Sequence, residues 1–231
     1  MILSVGDSWT YGYGITKKKN TWPYRLSKYT TENVIVSAEN GADNDSIAEY
    51  AINAYQEHRP DTTIIGWSGI SRIRYSKDPY IQFSLSQVPE EDTLERKKFF
   101  EQANLQDLST RWLEQIKLVE QNIKGNIIHF SVFGDQNCIS HPNLMNESML
   151  EVIAKQQGNK FRYYIPFFEF DFLNCDNIVA NEFCTKEFKK TWMKACVERE
   201  NIRPGSLFLG CGHPNEAGHK IWAKFLQKNI L

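Results

Sequence analysis

Short apolar runs alternate with amphipathic stretches along most of this chain. The runs at 1–5, 33–37, 60–67 and 126–133 are rich in branched apolar residues and end at glycines or polar turns. Runs of this length and composition are typical of strands buried on both faces of a parallel sheet. A further run at 160–165 predicts a fifth strand.

The stretches between these runs have the spacing of helices that bury one face. Helical spacing is clearest over 102–124, where Leu105, Leu108, Trp112 and Ile116 recur on one side. Similar patterns predict helices over 20–29, 46–58, 144–157, 184–199 and 220–231. Strands that alternate with helices are typical of an α/β fold. We therefore predict one domain over 1–231, a three-layer α/β/α sandwich with a mostly parallel five-stranded sheet. The segment 73–100 has no periodicity, and we interpret it as a lid or an insertion.

Composition narrows the class of protein further. The chain has 231 residues and a formal net charge of -1, which argues against a nucleic-acid surface. No apolar run is long enough to cross a membrane, and no signal peptide precedes the first run, so we expect a cytoplasmic protein. The five cysteines are odd in number and form no CxxC pair. We therefore expect reduced thiols, no metal site and no cofactor.

Candidate chemistry lies at both ends of the chain. The first run stops at Gly6-Asp7-Ser8, a glycine-containing turn. Open α/β sheets bind their ligands at this kind of position, beyond the carboxyl ends of the strands. Near the other end, His213-Pro-Asn is followed by Gly218-His219 and an amphipathic stretch. A serine hydroxyl needs a neighbouring base to become a nucleophile, and histidine is the usual base.

With these two motifs the chain resembles the GDSL/SGNH hydrolase family, whose fold is flavodoxin-like. The resemblance implies that Ser8 is the nucleophile, that His213 is the base, and that the Gly41 N–H binds the oxyanion, with Asn44 near it. It also implies a site that includes Asp7, Ser68 and Trp9, with Tyr11 and Trp67 lining the pocket. The motifs around Ser8 and Trp67 are also similar to SGNH-like proteins of tailed phages, and a phage protein could be associated with the virion.

The chain departs from the family pattern at two places. The third block of the family ends in Gly-x-Asn, but here no asparagine follows the strand, so Ser68, Ser71 or Arg72 would replace that oxyanion donor. The acid expected three residues before His213 is Gly210. Three outcomes remain open at the sequence level: a Ser8–His213 dyad held by a backbone carbonyl, an inactive site, or an acid from elsewhere. The candidate acids are Glu216, Asp135 and Asp176.

The sequence leaves alternatives for the base and for the function. A second His-Pro-Asn triplet begins at His141, but it lies in the middle of the chain. The resemblance implies an esterase acting on an O-acetyl or short acyl ester of a small molecule or a carbohydrate. The alternative is a binding or structural module whose cleft holds a glycan or a protein. A dinucleotide-binding protein is disfavoured because Gly12-x-Gly14 lacks the third glycine. The oligomeric state stays open.

Overall fold

The computed structural model describes residues 1–70, 105–133, 139–157, 207 and 213–230. The strands are β1 (Ile2–Gly6), β2 (Val34–Ala38), β3 (Thr62–Trp67) and β4 (Asn126–Ser131). The helices are α1 (Ser8–Tyr11), α2 (Trp22–Thr30), α3 (Asn44–His58), α4 (Leu105–Asn122), α5 (Met149–Gln157) and α6 (Glu216–Ile230), with a 3₁₀ turn at Lys18–Asn20. The predicted lid at 73–100, strand at 160–165 and helix at 184–199 lie outside these ranges.

The strands form one parallel sheet in the order β2-β1-β3-β4. Gly6 at the end of β1 is in register with Ala38 of β2 and with Gly66 of β3. The described sheet therefore has four strands where the sequence predicts five. The parallel arrangement is confirmed, and an isolated parallel bridge between His129 and Leu144 extends the sheet beyond the edge of β4.

Burial explains why the central strands lack the alternation of apolar and polar residues that is typical of a half-exposed sheet. Every residue of β1 and β3 is buried, whereas β2 at the edge of the sheet is only partly buried. Strands covered on both faces need apolar side chains at successive positions. The runs Ile2-Leu3 and Ile64-Ile65 meet that need, and their side chains are completely buried.

Helices cover both faces of the sheet. On one face, α3 and α4 bury Ile47, Trp112 and Ile116 against Leu3 and Val5. The opposite face carries α2, α5 and α6, which pack around the following buried residues: Trp22, Leu26, Ile64, Phe130, Ile153, Trp222 and Leu226. This arrangement confirms the three-layer α/β/α sandwich. Among the helices within the described ranges, none is both long and apolar enough to cross a membrane.

The strand order places a crevice between β1 and β3. From β1 the chain passes to β2 on one side, and then to β3 on the other side of β1. At such a reversal the connections leave the sheet toward opposite faces, and the carboxyl ends of the two strands border an open crevice. The residues that follow Gly6 and Trp67 are therefore the first to consider as a functional site.

Candidate active site

The turn after β1 fixes the position of Ser8. Asp7 caps α1: its Oδ1 accepts a hydrogen bond from the Trp9 N–H at 2.9 Å, and its carbonyl accepts from the Thr10 and Tyr11 N–H groups. Ser8 is the first residue of α1 and is 4% exposed. Aspartate is a preferred capping residue because its side chain satisfies a backbone N–H at the start of a helix. The cap holds the serine hydroxyl at the crevice.

Two glycines allow close packing at the ends of β1 and β3. A Cβ atom on Gly6 would lie 2.3 Å from Thr10 Oγ1 and 2.8 Å from the Gly66 carbonyl oxygen. A Cβ atom on Gly66 would lie 2.6 Å from Phe130 Cζ of β4. Because real Cβ atoms do not approach other atoms this closely, the contact between α1 and the end of β1 requires glycine at position 6. The position of Ser8 thus depends on Gly6.

His213 comes from the segment that leads into α6. Asn215 caps this helix, since its Oδ1 accepts hydrogen bonds from the Ala217 and Gly218 N–H groups at 2.9 and 3.0 Å. The Asn215 N–H donates to the Leu207 carbonyl at 2.9 Å. A Cβ atom on Gly218 would lie 2.6 Å from that same carbonyl oxygen. The His-Pro-Asn-x-x-Gly sequence therefore fixes the start of α6 and the imidazole just before it.

Folding brings Ser8 and His213 together. His213 Nε2 lies 2.8 Å from Ser8 Oγ, which is within hydrogen-bond distance. The imidazole also packs beside two aromatic rings, with centroid distances of 4.8 Å to Tyr13 and 6.2 Å to Trp9. A hydroxyl in contact with an imidazole nitrogen is the arrangement in which a serine can lose its proton as it attacks an electrophile.

Asp7, Ser68 and Asn44 form a hydrogen-bonded network across the crevice. The Ser68 hydroxyl donates to Asp7 Oδ2 at 2.9 Å, and the Ser68 N–H donates to Asn44 Oδ1 at 2.9 Å. Asn44 Nδ2 in turn donates to the Ser68 carbonyl at 3.3 Å. The network joins the ends of β1 and β3 to the start of α3, and all three residues are buried. It fixes the turn that carries Ser8.

This network changes the interpretation of two residues predicted to bind the oxyanion or the substrate. Both the hydroxyl and the N–H of Ser68 donate to protein groups, and the Asn44 amide is bonded to Ser68. In this structure Ser68 and Asn44 therefore stabilise the turn that carries Ser8. Asn44 is also not the cap of α3: Asp43 has that role, and its Oδ1 accepts from the Ser46 N–H at 2.7 Å. The sequence signal for the hydrogen bond between Asp7 and Ser68 is that both polar residues directly follow adjacent strands, β1 and β3.

Gly41 has the backbone conformation of a turn glycine. Its φ of 80° lies in the left-handed region, where residues with a side chain are strained. Within the described ranges no group accepts a hydrogen bond from the N–H of Gly41 or of Ser8. These two backbone donors are therefore open to a bound group.

Comparisons with known proteins give matches among solved structures. No family model matches the chain, and no curated protein does so. The chain is similar to lipolytic proteins of the G-D-S-L family. One from Desulfitobacterium hafniense shares 14% identity with a TM-score of 0.45, the alignment covering 98% of this chain and 97% of that one. One from Veillonella parvula shares 15% identity (TM-score 0.44, 99% and 97% coverage). The psychrotrophic esterase EstA from Pseudoalteromonas shares 12% identity (TM-score 0.43, 99% and 95% coverage).

Other predicted site residues lie elsewhere. His141, the alternative base, contacts Glu120 at 3.3 Å beside His129, and Glu120 also accepts from Asn143. Trp67 is completely buried and its Nε1 donates to His129 Nδ1 at 3.1 Å, so the prediction that it lines the pocket is wrong. Its indole is excluded from the crevice because it finds a buried partner in the core.

Of the three candidate acids, only Glu216 lies within the described residues. Glu216 is exposed in the first turn of α6. Asp135 and Asp176 lie outside the described residues, as do Ser71, Arg72 and Gly210.

Trp9 is 3% exposed and packs edge-on against Phe133 at 5.1 Å, so it forms part of the wall behind His213. In the part of the chain that the structure describes, no group of three His, Cys, Asp or Glu side chains is arranged to hold a metal ion.

His219 supports the site from the interior. Its Nδ1 accepts a hydrogen bond from the Trp22 N–H, the first amide of α2, at 3.2 Å. The side chain is completely buried, and this burial, with the electrostatic influence of Arg25, His213 and Lys18, lowers its pKa to about 3. His219 is therefore a neutral acceptor that fastens α6 to α2. The sequence motif gave its position but did not indicate this role.

Two buried histidines predict a stability that depends on pH. Burial lowers the pKa of His219 to about 3 and that of His129 to about 4, from 6.5 in each case. Below pH 6.5 the unfolded chain therefore binds protons that the folded chain does not. We expect the free energy of unfolding to be highest above pH 6.5. Between pH 6.5 and 5 it should fall by up to about 1.4 kcal/mol per pH unit for each histidine.

Urea denaturation at pH 7, 6 and 5 measures this slope. His219→Asn keeps an acceptor for the Trp22 N–H but does not titrate in this range. In this variant the free energy of unfolding should depend less steeply on pH, because the contribution of His219 is removed. A slope equal to that of the natural chain would contradict the assignment.

Proposed function

We propose that this protein is a serine esterase of the GDSL/SGNH type that cleaves an O-acetyl or short acyl ester, with an acylated carbohydrate as the favoured substrate. The observation that carries the proposal is the 2.8 Å contact between Ser8 Oγ and His213 Nε2 at the crevice between β1 and β3. It is supported by the capped turn that holds Ser8 and by two backbone N–H groups that are open to a ligand.

In the proposed reaction, Ser8 Oγ attacks the ester carbonyl carbon while His213 Nε2 takes the hydroxyl proton. The negative charge that develops on the carbonyl oxygen is stabilised by the N–H groups of Ser8 and Gly41. The carbon–oxygen bond to the alcohol then breaks, and His213 returns its proton to the departing alcohol. Water, deprotonated by His213, then attacks the acyl-enzyme. The bond between the acyl carbon and Ser8 Oγ breaks as His213 returns this proton to Ser8, and the carboxylic acid is released.

The surrounding contacts prepare this reaction. Asp7 and Ser68 hold the turn before the chemical step, so the nucleophile does not have to be positioned during it. Tyr13 and Trp9 limit the rotation of the His213 ring. We propose that this packing assumes part of the orienting role that a carboxylate has in other serine hydrolases.

Covalent labelling tests the proposal. A fluorophosphonate probe should label the natural chain on the Ser8 peptide, and p-nitrophenyl acetate should be hydrolysed. Ser8→Ala should abolish both signals. Ser4→Ala is a matched control, because Ser4 is a buried serine of β1, the strand that leads to Ser8, and its hydroxyl has no partner within the described ranges. An unlabelled Ser8 in folded protein would contradict the esterase and favour a binding module on the same fold.

A further inference from the structure

Three lysines form an exposed rim beside the Ser8–His213 pair. Lys18 and Lys19 lie on the 3₁₀ turn and Lys17 precedes it, and all three side chains are exposed. No carboxylate in the described ranges forms an ion pair with any of them. In a chain whose formal net charge is -1, this rim is a local excess of positive charge.

Lys18 is held in a defined place on this rim. Its Nζ donates to the Tyr11 carbonyl at 2.9 Å and lies 3.3 Å from the centroid of the Tyr11 ring. The carbonyl uses one of the three donors of the ammonium group, and the ring faces its positive charge. The other donors are left for a group outside the protein.

The rim is close to the proposed nucleophile. Tyr11 follows Ser8 by three residues on α1, which places the two side chains on one face with Cβ atoms about 5–6 Å apart. Tyr13 lies against the His213 ring, and its N–H donates to the Ser8 carbonyl at 2.9 Å. Tyr11 and Tyr13 are 40% and 45% exposed, so large parts of both aromatic side chains face solvent.

From this juxtaposition we infer that the rim binds the acidic part of the substrate, and that the preferred ester is an O-acylated saccharide carrying a carboxylate. This inference rests on the proposed esterase function. The apolar face of a sugar ring packs against the exposed tyrosines, and the carboxylate pairs with Lys18. A lysine ammonium acts as a single point charge, which can pair with one oxygen of a carboxylate.

A matched pair of substrates tests the inference. An O-acetylated methyl galacturonoside and the corresponding O-acetylated methyl galactoside present the same esters and differ in the carboxylate. At low salt we expect kcat/KM to be about fivefold higher for the acidic substrate, as for a partly exposed ion pair. The preference should decline at high salt, because ions screen exposed charges. Lys18→Gln should bring the ratio close to one, whereas Lys18→Arg should retain most of it.

Lys28→Gln is the control, since Lys28 is an exposed lysine in the last turn of α2 and its replacement removes the same charge. It should leave the ratio unchanged. A ratio near one in the natural chain would overturn the inference, while fluorophosphonate labelling of Ser8 would show that the esterase proposal stands. Should neither substrate be hydrolysed and Ser8 take no fluorophosphonate label, the esterase proposal fails. In that case, calorimetric Kd values for the two saccharides, measured with the natural chain and with Lys18→Gln, test the preference for the acidic saccharide independently of hydrolysis.

Discussion

Replacing His213 with alanine is expected to lower kcat/KM for ester hydrolysis by about four to six orders of magnitude. The imidazole is the group in contact with the Ser8 hydroxyl, and without it the serine must attack with its proton still bound. The fold should be retained, because His213 is only partly buried. Steady-state hydrolysis of p-nitrophenyl acetate, with circular dichroism as the check on folding, measures the effect.

His141→Ala is the matched control for this experiment. His141 belongs to the other His-Pro-Asn triplet, but it contacts Glu120 beside His129 rather than Ser8. Its replacement should leave kcat/KM within about threefold of the natural value, because its contacts with Glu120 and His129 are not part of the proposed reaction. If His141→Ala were as inactive as His213→Ala, or if His213→Ala kept full activity, the assignment of the base would be wrong.

Gly6→Ala is expected to lower the free energy of unfolding by about 3 kcal/mol and the remaining activity by about a hundredfold. The new methyl group would meet the Thr10 side chain of α1 and the Gly66 carbonyl of β3, so α1 would have to shift from the sheet and β1 from β3. Because α1 begins at Ser8, the same shift displaces the nucleophile from His213. Urea denaturation and hydrolysis rates measure the two effects.

A double-mutant cycle between Gly6→Ala and Thr10→Ala tests whether the new methyl group meets the Thr10 side chain. Thr10→Ala alone should change stability by less than about 1 kcal/mol, because Thr10 Oγ1 is buried without a partner among the described residues. Combined with Gly6→Ala, it removes the nearest obstacle, Thr10 Oγ1, but leaves the Gly66 carbonyl and the Cβ atom of residue 10, so the double variant should recover part of the lost stability. Strict additivity of the two changes would contradict a direct contact between these residues.

The strands and helices around the sheet could largely be predicted from the sequence. Buried central strands need unbroken apolar runs, and amphipathic helices repeat their apolar positions, so both leave periodic patterns. The contact between Ser8 and His213 followed only from the resemblance, because no local pattern indicates which residues meet across the fold. The network of Asp7, Ser68 and Asn44 has only a weak signal, the polar residues that follow two adjacent strands, because its hydrogen bonds depend on side-chain rotamers. The sequence also predicts the wrong position for Trp67, because an aromatic residue near a site and one in the core have the same sequence signature.

The two members of the proposed catalytic pair are separated by 205 positions in the chain. On the ribosome the serine would emerge long before the histidine, and a loop of this size must close before the pair can form. A nascent chain that already contains all four described strands would thus lack hydrolytic activity. Under the proposed mechanism, activity should arise only when α6 docks and brings His213 to Ser8.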